Sequence, residues 1–216
     1  MTKELRFLGI IILSLFVQMV CGQEKGQKRE LKRGTIIPSY VLCDGKKVPA
    51  VYCVRSIEYG VASLGYESYE GTAIDTATVG RVVVPGKVES PDGGVFRVNG
   101  VGRHAFADCR WLTEVVLPDS LHDIGDQSFM NCRSLRKIVL PAGTRYLWPY
   151  AFRGCINLQR IEVKAAVPPD SYNDVFDERT LRFATLVVPG EHADAYRSAF
   201  VWNMFRYVVT DWDGEK

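Results

Sequence analysis

Residues 104–118 read HAFADCRWLTEVVLP, residues 127–141 read QSFMNCRSLRKIVLP, and residues 150–164 read YAFRGCINLQRIEVK. The three segments align without gaps, and Phe106, Phe129 and Phe152 follow one another at a constant step of 23 residues. A fixed period of this size is typical of stacked coils, because one coil cannot bury its apolar side without a neighbouring copy. The repeat therefore predicts a solenoid.

The spacing inside each block changes from three residues to two. Phe106, Cys109 and Leu112 recur every third residue, as on one face of a short α or 3₁₀ turn, whereas Val115 and Leu117 alternate as in a strand. Proline then ends the strand in the first two blocks, because it has no N–H to donate. We predict that each coil holds a short helix and a short strand, and that the strands stack as a parallel sheet.

The repeat extends beyond the three clear blocks. Residues 81–85, RVVVP, match the strand and its proline, and residues 88–98 predict an inserted β-hairpin around a glycine turn. Thr185–Val188 predicts the last strand, and the aromatic residues after it predict a helical cap. The fold class is an α/β solenoid with a β-rich N-terminal cap at 36–80, repeats at 81–189 including a hairpin insertion at 86–100, and a C-terminal cap and tail at 190–216.

The first 22 residues have the pattern of a secretory signal peptide. Lys3 and Arg6 precede an apolar run over residues 7–17, and polar residues follow Gly22. We predict cleavage after Gly22 and a polar linker over residues 23–35; the alternative is cleavage before Cys21 with a lipid anchor on its thiol. The run is shorter than the roughly 20 residues that a membrane-spanning helix needs, so no transmembrane span is predicted.

Charge and histidine placement argue against several function classes. The 27 basic and 25 acidic residues nearly cancel, and the basic residues near 25–33 are interrupted by glutamates, so nucleic acid is not a predicted partner. The three histidines occupy unrelated repeat positions, and the sequence contains no His-x-x-x-His or Gly-x-Ser-x-Gly. We predict a protein that is not an enzyme and uses no cofactor.

The cysteines divide into a row and a pair. Cys109, Cys132 and Cys155 share one repeat position and are predicted to form a buried row. Such a row spans about 10 Å, too far for thiolates about 2.3 Å from a single zinc ion, so no metal site is predicted. Cys43 and Cys53 flank a turn-forming Asp-Gly, and in an exported protein a disulfide between them is one prediction.

The pattern Ala-Phe-x-x-Cys-x-x-Leu-x-x-Ile-x-Leu-Pro, with Ile-Gly four to five residues before phenylalanine, resembles the BspA-like leucine-rich repeats of surface proteins from anaerobic bacteria. The resemblance covers residues 81–209 and implies a secreted, periplasmic or outer-surface protein; larger members are described as adhesins. Two positions depart from it. Trp148 stands where Gly102 and Gly125 stand in other coils, and Lys164 replaces the expected proline.

Strand alternation predicts which residues a partner would meet. If Val115 and Leu117 point inward, an outward row of charges and valines follows on successive strands. Its members are Glu114, Val116, Lys137, Val139, Arg160 and Glu162. Trp148 and Tyr150 form a second candidate contact. We predict a non-catalytic module that binds a protein or a glycan; the alternative is a structural protein that pairs through its sheet edge or caps with another surface chain.

Overall fold

The computed structural model describes residues 31–66, 71–172 and 174–210. The predicted signal peptide, the lipidation candidate Cys21 and most of the predicted linker lie outside these residues. The strands are β1 Ile36–Cys43, β2 Lys46–Ser56, β3 Val61–Leu64, β4 Gly80–Val83, β5 Lys87–Glu89, β6 Val95–Val101, β7 Leu112–Val116, β8 Asp123–Ile124, β9 Lys137–Leu140, β10 Tyr146–Leu147, β11 Arg160–Val163, β12 Asp170–Ser171, β13 Thr185–Val188 and β14 Tyr207–Thr210. The α-helices are α1 Glu178–Phe183 and α2 Ala193–Ser198, and 3₁₀ turns cover Gly190–His192 and Trp202–Met204.

The strands form two ladders joined at one end. The first ladder runs β4-β7-β9-β11-β13-β14 and the second runs β3-β6-β8-β10-β12, with all neighbours parallel in both. The antiparallel pair β1/β2 connects them, because β2 pairs with β3 and β1 pairs with β4. One sheet therefore folds around the core, and the solenoid prediction is confirmed. The antiparallel hairpin β5/β6 overlaps the segment where the sequence predicts an insertion, and its second strand also belongs to the second ladder.

A stack of buried phenylalanine rings runs through the core along the turn segments of successive coils. Phe106, Phe129, Phe152 and Phe176 stack with ring centroids 4.9, 5.2 and 5.3 Å apart and interplanar angles of 16° or less. The backbone N–H of Phe106 donates to the carbonyl of Ser128 in the next coil, and the N–H of Phe129 donates to that of Ala151. Each coil is thus hydrogen-bonded to its neighbour on the turn side as well as through the two ladders.

The Phe-x-x-Cys-x-x-Leu segments of the three blocks are turns, not the short helices that their spacing predicts. Two repeat positions carry a positive φ in every block: one set is His104, Gln127 and Tyr150, and the other is Asp108, Asn131 and Gly154. A left-handed residue interrupts helical hydrogen bonding, so two of them within five residues leave only turns. Asp, Asn and Gly are the residue types that adopt this conformation most readily.

The cysteine row is buried and hydrogen-bonded between coils. The thiol of Cys132 donates to the carbonyl of Phe106, and that of Cys155 donates to the carbonyl of Phe129, each at 3.1 Å. Burial raises the pKa of the Cys109 thiol far above its ordinary value. The thiols of Cys132 and Cys155 act as small apolar donors within the stack.

The predicted disulfide between Cys43 and Cys53 is wrong. In the β1/β2 hairpin, Cys43 pairs with Lys46, whereas Cys53 pairs with Ile36 at the opposite end of the same strands. Seven residues of strand separate the two positions, which is about 23 Å at 3.3 Å per residue, whereas a disulfide needs Cα atoms within about 7 Å. The Cys43 thiol instead donates to the carbonyl of Val79 at 3.0 Å.

The C-terminal end closes with one more strand than the sequence predicts. β14 pairs in parallel with β13, so Thr185–Val188 is not the last strand. Trp202 and Phe205 meet the edge of Phe176, the last ring of the stack. The indole N–H of Trp202 donates to the carbonyl of Pro169 at 2.8 Å, which ties the cap to the final coil.

We expect Phe129→Ala to lower the free energy of unfolding by about 3–5 kcal/mol, because the truncation removes ring contacts with the coils on both sides. Phe183→Ala is the matched control, since that ring is 60% exposed, and it should cost less than about 1 kcal/mol. Urea unfolding followed by circular dichroism measures both. Equal losses for the two variants would contradict the central role of the stack.

Candidate functional site

The outer face of the first ladder holds the predicted row of charges and valines. Glu114 pairs in register with Lys137, and Lys137 with Arg160. Val139 pairs in register with Glu162, in a neighbouring row. Val116 and Val139 are half-buried in this face. The structure therefore brings these six residues onto one surface.

The charges of this face are already paired with one another. The Glu162 carboxylate accepts hydrogen bonds from Lys137 at 2.8 Å and from Arg160 at 2.6 Å, and Arg81 pairs with Glu114 at 3.2 Å. Burial acts to raise the pKa of Glu162, but the hydrogen bonds and charges of the two cations outweigh it, so the pKa lies below its ordinary value. A ligand at this face would have to compete with these internal pairs.

The second ladder presents a different surface at its C-terminal end. Gly102 and Gly125 occupy one repeat position, where an added Cβ would lie within 2.7–2.9 Å of backbone atoms of the preceding coil. Trp148 and Tyr172 follow at the equivalent positions of the next two coils, as the pairing of β8, β10 and β12 places them. Their rings stack with centroids 6.1 Å apart. The coils thus change at this position from glycine to an exposed aromatic pair.

Tyr150, the second residue of the predicted aromatic candidate, does not join this pair. It occupies the left-handed turn position with φ 58°, and its ring packs under the guanidinium of Arg153. Trp148 instead meets Tyr172 from the next coil. Trp148 thus belongs to an exposed aromatic pair, whereas Tyr150 occupies a turn and contacts Arg153.

Trp148 borders an apolar cleft of about 610 Å³ on its C-terminal side. Four large rings that line the cleft are 44–64% exposed, namely Tyr146, Trp148, Tyr172 and Phe200. Pro168 and Pro169 also line it. Clustered exposed aromatic rings are uncommon on a surface that meets only water, and they favour a binding role.

Trp148 also borders a polar cleft on its N-terminal side. This region consists of two adjoining pockets of about 290 and 420 Å³, and both are lined by Arg55 and Asp123 as well as Trp148. Nη1 of Arg55 donates to both carboxylate oxygens of Asp123, at 2.6 and 2.8 Å. Arg55 reaches Asp123 across Gly100, where a Cβ would lie 2.8 Å from the Arg55 guanidinium.

The constant 23-residue step did not predict most of this aromatic surface. Tyr172 follows Trp148 at 24 residues, and Phe176 follows Phe152 at the same step, so a fourth copy is present with one residue inserted. The segment after Phe176 forms helix α1 instead of turns, which removes the Cys-x-x-Leu part of the pattern. Allowing a 24-residue step would have found both residues. No sequence pattern predicts that Arg55 lines the polar cleft, because Arg55 lies in β2, outside the repeats.

Neither ladder carries the residues of a metal site. Within residues 31–66, 71–172 and 174–210, no group of three or more His, Cys, Asp or Glu residues is placed to hold a metal ion. A search of the same ranges for helices long and apolar enough to cross a membrane also finds none. The arrangement offers surfaces for binding, formed by aromatic rings and paired charges.

Comparisons with known proteins agree with the geometry of the coils. A model of the BspA type leucine rich repeat region matches residues 96–203 in six copies. A search of the curated proteins finds no significant match. A leucine rich cell surface protein from Faecalibacterium prausnitzii is 16% identical with a TM-score of 0.47, over 74% of this chain and 41% of that protein. The chain thus spans less than half of this first structure.

Two further solved structures are similar to the chain. A leucine-rich repeat protein from Bacteroides capillosus is 22% identical, with a TM-score of 0.37 over 53% of this chain and 94% of that protein. A leucine-rich repeat protein from Bacteroides ovatus is 17% identical, with a TM-score of 0.33 over 84% of this chain and 41% of that protein.

We expect Glu162→Gln to destabilise the protein at pH 7 by about 1 kcal/mol, because Lys137 and Arg160 lose their shared counter-charge. Since folding lowers the pKa of Glu162, its stabilisation is present above the unfolded pKa of about 4.3 and is lost as the pH falls through the folded pKa. The difference between wild type and variant should therefore shrink as the pH falls below about 4.

Thermal unfolding between pH 7 and pH 3 measures this difference. Glu114→Gln is the matched control on the same face, because Glu114 pairs with one arginine and its side chain is 43% exposed. Its effect at pH 7 should be the smaller of the two. A pH-independent difference for Glu162→Gln would argue against the ion-pair explanation.

Proposed function

The chain belongs to the BspA type leucine rich repeat family, and from that premise we propose that it is an exported, non-catalytic recognition module whose ligand contact centres on Trp148. Membership of the family supports a repeat-based binding module in general, without naming a ligand. The proposal of export rests on the signal-peptide pattern of residues 1–22. Its partner is a protein or a glycan at the bacterial surface or beyond it.

The observation that carries this proposal is the cluster of exposed rings around Trp148. Tryptophan and tyrosine contribute large contact areas at low entropic cost, and they are enriched among the residues that dominate binding energy. A single exposed ring on a surface needs no explanation, but Tyr146, Trp148, Tyr172 and Phe200 line one cleft. We expect a ligand that covers these rings to gain affinity from removing them from water.

The outer face of the first ladder is the weaker candidate. Lys137 and Arg160 both contact Glu162, so a charged ligand there gains little, because it must first separate these charges. The half-buried Val116 and Val139 lie beside them, which fits valines that cover one another along the stack. The residues of this face are therefore better explained by the stability of the sheet than by recognition.

We expect Trp148→Ala to weaken capture of the partner at least tenfold, because it removes a large ring that lines both clefts. The experiment immobilises the chain from Gln23 onward and presents mucin, extracellular matrix proteins and bacterial surface extracts. Trp111→Ala is the matched control, since Trp111 is another tryptophan with 58% exposure and lies in the first block. Circular dichroism should show that both variants fold.

Capture that persists in Trp148→Ala would refute the proposed contact. Equal losses in Trp148→Ala and Trp111→Ala would also refute it, because the loss would then not be specific to this surface.

A second candidate function is assembly through β14, the last strand of the first ladder. The described strands leave its outer edge without a neighbour, and Tyr207 and Val209 are 47% and 43% exposed. An exposed edge without lysine or proline is a template for pairing with another chain. This hypothesis predicts oligomers of the mature protein at micromolar concentration, which Val209→Lys should dissociate. A monomer by light scattering would count against it.

A further inference from the structure

Trp148 separates two clefts whose chemistry differs. On one side lie the arginine and aspartate side chains of the polar cleft, and on the other lie the rings of Tyr172 and Phe200. The ring of Tyr146 lines both clefts. Both clefts include Trp148, so an elongated ligand can contact the two together. A single ligand that fills both must combine polar groups with an apolar face.

Two arginine–aspartate ion pairs line the polar cleft, and Arg33 also lines both of its pockets. Arg55 contacts Asp123, and Nη2 of Arg103 contacts Asp126 at 2.8 Å. An anionic ligand would have to displace a carboxylate from its guanidinium, and a cationic ligand would have to displace a guanidinium from its carboxylate. Each exchange loses an existing charge-assisted hydrogen bond. At these two ion pairs, the pairing therefore favours a neutral ligand.

The same pairs favour a ligand rich in hydroxyl groups. A guanidinium only donates hydrogen bonds and a carboxylate only accepts them, whereas one hydroxyl group does both. The Arg55–Asp123 pair thus presents donors and acceptors side by side, which matches neighbouring hydroxyl groups on a sugar ring. Its side chains are 35% and 17% exposed, so they are within reach of a ligand that enters the cleft.

The aromatic rings of the apolar cleft suit the apolar face of a sugar ring. One face of a sugar ring carries mainly C–H groups, and these pack against the negative face of an aromatic ring. Ligand sites commonly combine such apolar walls with a few polar groups that set orientation, and the volumes here, about 290, 420 and 610 Å³, are of the usual size.

From these observations we propose that the two clefts beside Trp148 form one site for a neutral oligosaccharide. One sugar unit hydrogen-bonds to Arg55 and Asp123, and a following unit packs among Trp148, Tyr172 and Phe200. This inference rests on the proposed function, because it assigns a ligand class to the same surface. A peptide ligand is the alternative that the experiment must distinguish.

The experiment measures binding of the mature chain to an array that carries neutral hexose and N-acetylhexosamine oligosaccharides together with sialylated and sulfated ones. We expect binding to neutral chains, without a preference for the acidic ones. Trp148→Ala should weaken it about tenfold, and Trp148→Phe should retain part of the affinity because a ring remains. Trp111→Ala should bind as the wild type does.

Two further variants test the separate halves of the site. Asp123→Asn removes the carboxylate but keeps its size, and it should weaken binding to neutral oligosaccharides while the far-ultraviolet circular dichroism stays unchanged. Titration with a soluble neutral tetrasaccharide should shift the tryptophan fluorescence of wild type and of Trp111→Phe, but not that of Trp148→Phe. The fluorescence change reports contact with Trp148 directly.

The outcomes separate this inference from the function on which it rests. If Trp148 is needed for capture of a protein that still binds after its glycans have been removed enzymatically, the recognition surface stands and the carbohydrate inference fails. If neutral oligosaccharides bind equally to wild type and Trp148→Ala, both the assigned site and the proposed contact surface fail. If no neutral oligosaccharide on the array binds, the carbohydrate inference is overturned.

Discussion

The stacking of one coil directly on the next is the constraint on which the rest of the structure depends. The phenylalanine rings lie 4.9–5.3 Å apart, close to the spacing of about 4.8 Å between paired strands. Both ladders and the ring stack can therefore advance together without a gap. The same spacing brings backbone against backbone, which is why Gly102 and Gly125 have no room for a side chain on the second ladder.

This constraint divides the surface into two kinds. Where the coils repeat regularly, outward charges pair with outward charges of the adjacent coil, as Glu114 pairs with Arg81 and Glu162 with Lys137. Such pairs satisfy one another and leave little for a charged ligand. The glycine pattern ends at Trp148, and there the rings of Trp148, Tyr172 and Phe200 are exposed. We therefore propose recognition at the irregular end of the stack.

Much of the solenoid was predictable because each inward position repeats at a constant step. The helices inside the blocks were mispredicted because a three-residue spacing does not distinguish a helix from a turn with two left-handed residues, such as Asp108 and His104. The disulfide between Cys43 and Cys53 failed for a different reason. The turn between them suggested proximity, but the register of the hairpin places them at its opposite ends.

The sequence by itself determined the coil, its period, its buried row of Phe, Cys and Leu, and the outward row of charges, since all of these follow from local spacing. Only the tertiary structure decided that the strands divide into two ladders joined by β1 and β2. It also decided that Arg55 from the cap meets Asp123 from a repeat, beside Trp148. The reason is that residues 68 positions apart share no period, and only the folding of the sheet around the core brings them together.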